Sequence, residues 1–229
     1  MRWRVSCCWN RFTAPGPLTR ATPTTVSEFI YLASQSPRRS QLLAQMGVRF
    51  ELLLPGADED AEALEVVAPN EAPATYVQRV TGLKLDAALA RLRRRGLPPA
   101  PVLCCDTTVA LGRAIYGKPL DERDARRMLR ELSGTTHRVL SAVALQLGRK
   151  RLGALNQSHV TFTTLTRSQI ARYVASGEPL GKAGAYAVQG RAGIFISRLS
   201  GSYSGIMGLP MFETAQLLKA FGLPCNKTS

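Results

Sequence analysis

Histidine is nearly absent from this chain, acidic residues are scarce, and no two cysteines stand at metal-site spacing. Each shortage removes a class of chemistry. His137 and His159 are the only histidines, and no G-x-S-x-G elbow accompanies them, so a nucleophilic triad has little to stand on. The five cysteines (Cys7, Cys8, Cys104, Cys105 and Cys225) form no C-x-x-C pair, and their odd number argues against a disulfide framework. Cys104 and Cys105 lie in an apolar run and read as small buried residues of a reducing compartment. No apolar run approaches the roughly 18–20 residues that span a bilayer, so a soluble protein without a membrane partner is expected. Against 16 acidic residues stand 30 Lys and Arg, a net charge of +14 with pI near 10.3, and only six of these cations are lysine. Such an excess suits nucleic acid. The chain has no run of five or six like charges and no helix-turn-helix or RNA-binding signature, so we read an arginine-rich solvated surface and expect no nucleic-acid partner.

What is present divides into an extension and a body. Residues 1–28 hold Arg2, Arg4, Arg11 and Arg20 with several prolines and threonines, and no acid before Glu28. That composition resembles an organellar transit peptide, and equally an extension from an early start codon; it reads as a disordered basic segment outside the fold. Residues 29–223 form the body and 224–229 a short tail. With 45% hydrophobic residues, the body can bury a substantial core. Strands are predicted over residues 29–33, 48–54, 102–111, 138–147, 152–165 and 193–199. Helices are predicted over 37–46, 73–95, 121–132, 168–176 and 210–221, with a loop over 200–208. Interleaved strands and helices predict an α/β protein with a mixed sheet.

The segment Ile30-Tyr31-Leu32-Ala33-Ser34-Gln35-Ser36-Pro37-Arg38-Arg39 is the most informative. A strand-like run stops at a serine, Ser36 is placed to cap a helix, and Pro37 takes its first position. Arg38 and Arg39 then sit where the helix already carries partial positive charge, which reads either as a pocket for an anion such as phosphate or as a merely solvated arginine pair. Asp106 follows the buried run Val102-Leu103-Cys104-Cys105, and a carboxylate at the end of such a strand must be paired, hydrogen-bonded or metal-bound. Glu59, between Asp58 and Asp60, could share a Mg²⁺ ion with Asp106 and substrate phosphates, although acidic loops are commonly just solvated. Lys84, Lys118 and Lys182 are isolated cations that could neutralise a polyphosphate together with the arginine pair. Residues 112–118 nearly match a P-loop but run into Pro119, so they read as a hairpin ending in a positioned lysine. His137 invites a general-base role, and a structural one is favoured.

Taken in order, these pieces resemble one family. Ala33-Ser34-Gln35-Ser36-Pro37-Arg38-Arg39, Cys105-Asp106-Thr107-Thr108-Val109, Gly117-Lys118-Pro119, Ser133-Gly134-Thr135-Thr136-His137-Arg138-Val139, Gly177-Glu178-Pro179, Lys182-Ala183-Gly184-Ala185-Tyr186-Ala187-Val188-Gln189-Gly190 and Gly201-Ser202-Tyr203 occur in the order seen in Maf-like proteins, which are nucleoside triphosphate pyrophosphatases. The resemblance implies a two-lobed fold, akin to the inosine triphosphatases, with a mixed sheet and a central cleft. It implies hydrolysis of the α–β phosphoanhydride of dTTP and UTP with a divalent cation, Mg²⁺ or Mn²⁺. It also implies Asp106 as proton acceptor, Glu59 and Asp106 at the metal, and Arg38, Arg39, Lys84 and Lys118, with Ser34 and Lys182, around the triphosphate. Arg38, Thr107 and Gln189 match positions that set base preference. A primary amide both donates and accepts, which suits uracil or thymine. Members acting on 7-methyl-GTP carry Glu where this chain has Gln189, which aligns it with the dTTP/UTP branch. Gly181 departs from the family's usual Asp. A cytoplasmic enzyme is the expectation; members of the family are often dimeric, and the sequence itself leaves a homodimer open. The competing class is a non-catalytic nucleotide- or nucleic-acid-binding regulator of cell division.

Overall fold

The computed structural model describes residues 28–56, 59, 63–223 and 225. The extension therefore lies, Glu28 apart, outside the described residues, as does most of the short tail. The elements run β1 (Ile30–Leu32), α1 (Pro37–Gln45), β2 (Phe50–Leu52), α2 (Pro73–Arg94), β3 (Val102–Leu111), β4 (Ala114–Tyr116), α3 (Glu122–Leu132), β5 (Thr136–Leu147), β6 (Lys150–Phe162), α4 (Arg167–Val174), β7 (Ile196–Ser200), α5 (Tyr203–Met207) and α6 (Met211–Ala220). Short 3₁₀ turns occupy Ala63–Glu65, Ala183–Ala185 and Arg191–Phe195.

Seven strands form one mixed sheet in the order β2-β1-β3-β5-β6-β7, with β4 paired to β3. β1 runs parallel to β2 and β3, and the remaining pairs are antiparallel. The expected α/β class with a mixed sheet is what the chain adopts. Side chains of β3 alternate between two layers, as the two-residue period of a strand requires. Val102 and Cys104 pack with Leu85, Ala88 and Leu92 of α2. Leu103 and Cys105 pack on the other face with Leu42 and Leu43 of α1 and Leu217 and Leu218 of α6. A separate cluster, built on Met128, Leu129, Phe162, Tyr173 and Phe195, forms the second lobe around α3 and α4.

The edge of β3 positions the site. β3 pairs with β1 through Leu103, and with β4 only from Val109 onward. Among the described residues, 104–108 have a strand partner on the β5 side alone. A cleft opens at that interruption, between the two lobes, and both faces of β3 look into it.

Local chemistry explains most boundaries and corrects several. Asp121 caps α3 by accepting from the Asp124 N–H at 2.7 Å, and Thr166 with Gln169 forms a reciprocal cap on α4. Ser36 makes no side-chain cap; its own N–H donates to Ser34 Oγ at 3.2 Å. The alternation expected over 48–54 fails, because Leu52 is exposed on an edge strand and Leu53 is the buried residue. The loop predicted over 200–208 contains the helix α5, capped by Ser202 accepting from the Gly205 N–H at 3.0 Å. Asp106 stands in the middle of β3 and not at its end. No described helix is long and apolar enough to cross a membrane.

Candidate active site

The cleft is a cavity of about 470 Å³ lined from both lobes. The end of β1 and the start of α1 supply Ser34, Arg38 and Arg39. α2 supplies Lys84 and Arg91, β3 supplies residues 105–109, and the hairpin after it supplies Lys118. The glycine-rich segment adds Lys182, Tyr186 and Val188, and the end of α5 closes the rim. The sequence expectations for Ser34, Arg38, Arg39, Glu59, Lys84, Asp106, Thr107, Lys118 and Lys182 thus all fall on one wall or another of this cavity. Gln189 does not: it is exposed and outside the lining, beside Val188, which is buried within it.

Asp106 is almost fully buried, and its Oδ1 receives Lys84 Nζ at 2.6 Å. The same ammonium lies 2.6 Å from Glu65 Oε1, and Lys118 Nζ reaches that oxygen at 3.3 Å. Burial disfavours the Lys84 charge, yet Asp106 and Glu65 outweigh it and raise its pKa. Burial likewise opposes ionisation of Glu65, and Lys84 and Lys118 overcome it to leave the carboxyl below its ordinary range. Tyr76 Oη holds the Glu65 carbonyl at 2.9 Å, which fastens the 3₁₀ turn over the N-terminal part of α2.

Glu59 behaves differently from the expectation that it shares a cation with Asp106. Arg91 Nη2 lies 2.6 Å from its Oε2 and Arg94 Nη2 lies 2.6 Å from its Oε1, while Arg91 Nε contacts both oxygens. The Arg91 hydrogen bond, against the opposing effect of burial, draws its pKa down to about 2. The carboxylate is spent on arginine, because α2 carries Arg91 about two turns beyond Lys84 on the same face. Glu65, six residues further on, is the acid joined to Asp106. Nothing in the run from Asp58 to Glu65 distinguished it as a sequence, since the anchoring Tyr76 acts across a turn.

Lys84 is thereby committed to carboxylates, and the cations left facing open space are Arg38, Arg39 and Lys182. Burial, and then the neighbouring Arg39, lower the pKa of Arg38. Burial, and then Arg38, lower that of Lys182, with Glu178 opposing. Arg38 and Lys182, each lowered by burial and then by a neighbouring cation, mark a wall short of negative charge. The lining holds six Lys and Arg side chains against three carboxylates. An anionic ligand fits that imbalance.

Hard oxygen donors are also at hand for a divalent cation: Asp106, Glu65 and Thr108 Oγ1. Thr108 lines the cavity and is 1% exposed, and its buried hydroxyl has no partner among the described atoms. The described residues contain no cluster of three His, Cys, Asp or Glu, so substrate oxygens would have to complete the shell. His137 takes a structural place: it is buried, its Nε2 lies 2.9 Å from Tyr186 Oη, and burial lowers its pKa to about 4. Residues 112–118 form the β3–β4 hairpin, with Gly112 at φ +59° in the turn. Two further contributors, Ser141 and α5, escaped the sequence reading. A serine inside Val139-Leu140-Ser141-Ala142-Val143 was the available signal.

The family model described as Maf-like protein matches residues 29–221. A dTTP/UTP pyrophosphatase of Albidiferax ferrireducens is 76% identical over 197 residues, covering 86% of this chain and 98% of that protein. Proteins of the same name from Polaromonas sp. and Cupriavidus metallidurans are 66% identical over 197 residues and 62% over 198, each covering 86% of this chain and 98% and 99% of theirs. Among solved structures, the Staphylococcus aureus Ham1 protein matches at 11% identity and TM-score 0.38, over 84% of this chain and 96% of that one, a likeness too distant to carry weight.

Proposed function

The chain belongs to the Maf-like protein family, and from that premise we propose that it hydrolyses dTTP and UTP to the nucleoside monophosphate and pyrophosphate, clearing these triphosphates from the nucleotide pool. The observation that carries the reading is the opposition inside one cavity of the Asp106–Lys84–Glu65 chain and a wall that presents Arg38, Arg39 and Lys182. Phosphoanhydride cleavage needs charge stabilisation and an oriented water more than covalent help. Arg38, Arg39, Lys118 and Lys182 surround the triphosphate. Asp106, held by Lys84 at 2.6 Å, accepts a proton from the attacking water as its oxygen bonds the α-phosphorus and the bridging bond to pyrophosphate breaks. Asp106, Glu65 and the Thr108 hydroxyl would hold a divalent cation, Mg²⁺ or Mn²⁺, which when bound supplies positive charge to the phosphate oxygens. Cytoplasmic operation belongs to the same reading.

The test is release of pyrophosphate by purified protein across a nucleotide panel with Mg²⁺ or Mn²⁺. Wild type should turn over dTTP and UTP, and Asp106→Asn should lower kcat by at least about 10³-fold with an unchanged circular dichroism spectrum, the scale of a lost general base. Normal turnover by that variant would remove Asp106 from the reaction.

A further inference from the structure

We propose that Ser141, buried in the middle of β5, is a positioning residue that fixes the Arg39 guanidinium through a directed hydroxyl relay, and that Thr107 acts through Arg39 and donates no hydrogen to the nucleotide base. The proposal rests on the reading of the cavity as a triphosphate site.

The direction of the relay follows from counting protons. Ser141 is fully buried and stands opposite Thr107 in the β3–β5 register. Its Oγ lies 2.7 Å from the Gly205 carbonyl and 2.8 Å from Thr107 Oγ1. A carbonyl only accepts, so the single Ser141 proton goes to Gly205. Thr107 must then donate to Ser141. Its hydroxyl accepts in turn from Arg39 Nη2 at 3.3 Å. The Thr107 proton is spent inside the wall, and a base edge can draw no hydrogen from it.

A second route from Ser141 reaches the same arginine. The Gly205 carbonyl also accepts the Gly208 N–H at 3.0 Å, closing the end of α5. The Gly208 carbonyl in turn receives Arg39 Nε at 2.8 Å. Arg39 Nη1 completes the set on Ser34 Oγ at 3.2 Å. Among the described residues, then, Arg39 is held on three sides by uncharged acceptors. Lys84, Lys118 and Arg91 each face a carboxylate instead. Arg39 is immobilised without being neutralised, and its charge is kept for phosphate.

Two readings of Thr107 make opposite predictions. If Thr107 works through Arg39, Thr107→Val and Ser141→Ala should each raise KM for dTTP and UTP together by roughly tenfold, the scale of one charged hydrogen bond lost. The inhibition constant of inorganic tripolyphosphate, which has no base, should rise in parallel, and the dTTP-to-UTP ratio should stay constant. The double variant should be no worse than the more severe single one, because both break one relay. Thr107→Ser, which keeps the hydroxyl, should restore most of the loss seen in Thr107→Val. A changed base ratio in Thr107→Val with tripolyphosphate binding intact would overturn the proposal, as would unaltered KM or additive losses. Should Ser141→Ala fail to fold, the comparison of Thr107→Val with Thr107→Ser decides alone. Wild-type protein that turned over neither nucleotide would defeat the functional reading, and calorimetric binding of tripolyphosphate to the same variants would still test the relay.

Discussion

Replacing Lys84 with methionine removes one ammonium from between two carboxylates and keeps the volume of the stem. Lys84 lies 2.6 Å from both Asp106 and Glu65, and the three side chains are 17%, 10% and 22% exposed. At an effective dielectric constant near 20, each contact is worth about 6 kcal/mol in Coulomb terms, most of it offset by desolvation. What the variant exposes is the cost of leaving two largely buried carboxylates without that ammonium; among the described residues, Glu65 keeps an ion-pair neighbour in Lys118 and Asp106 keeps none. Breaking buried pairs costs about 3–5 kcal/mol, and partial exposure sets the expectation at about 3 kcal/mol at pH 7. The pH window follows from the two shifts. The raised pKa of Lys84 contributes stability that is complete below 10.5 and lost only as pH rises through the folded value above it. The lowered pKa of Glu65 contributes stability present above 4.5 and lost as pH falls through its folded value. The wild-type advantage should therefore be flat between about pH 5 and 9 and shrink below 4.5. Urea unfolding of both proteins across that range measures it, and adding Asp106→Asn to the variant should recover part of the loss. A difference below about 0.5 kcal/mol at pH 7, or one that widens in acid, would refute the buried-pair account.

Three other outcomes are expected. Gly190→Ala would put a methyl group 2.3 Å from Glu178 Oε1, whose carboxylate holds Tyr173 Oη at 2.9 Å and the Arg191 N–H at 3.0 Å. It should cost about 2 kcal/mol and speed proteolysis within residues 181–193, with Glu178→Ala relieving the steric part. His137 stays neutral down to about 4 against 6.5 when unfolded, so about 3 kcal/mol is present above pH 6.5 and lost as pH falls toward 4; His137→Gln should lose about 2 kcal/mol less than wild type between pH 7 and 4.5, read by urea midpoints. Burial pushes the Cys104 and Cys105 thiols up to about 11 and about 12. Alkylation of either at pH 8, followed by peptide mapping, should be at least roughly a hundredfold slower in the folded protein than in urea.

Elements with strong local signals were legible in the chain. The bounds of β3 match the apolar run, and α3 follows from Asp121 and a stripe at helical spacing. Elements fixed by neighbours were not. Leu52 and Leu53 exchange roles because β2 is an edge strand whose two faces meet different surroundings. α5 is only five residues long, and its cap and closing glycine resemble those of a loop. In the site, residue types pointed to the cationic wall, since Arg38 and Arg39 follow Ser36-Pro37 at the start of a helix and both line the cavity. Which acid serves Asp106 depended on how far α2 carries Lys84 and Arg91 apart, a distance that spacing in a loop does not encode. Gln189 and Thr107 show the same limit: a side chain's chemistry can be read from its type, but its last free proton or open face depends on the partners that folding assigns.

The break along the edge of β3 has a mechanical consequence. The β3–β5 ladder runs without interruption from one lobe to the other, and α2 packs beneath it in both directions. Arg38 and Arg39 approach the cleft from one bank, Lys118 and Lys182 from the other. Any guest long enough to touch all four becomes a crossbeam over the seam, so filling the cavity and stiffening the molecule are a single event.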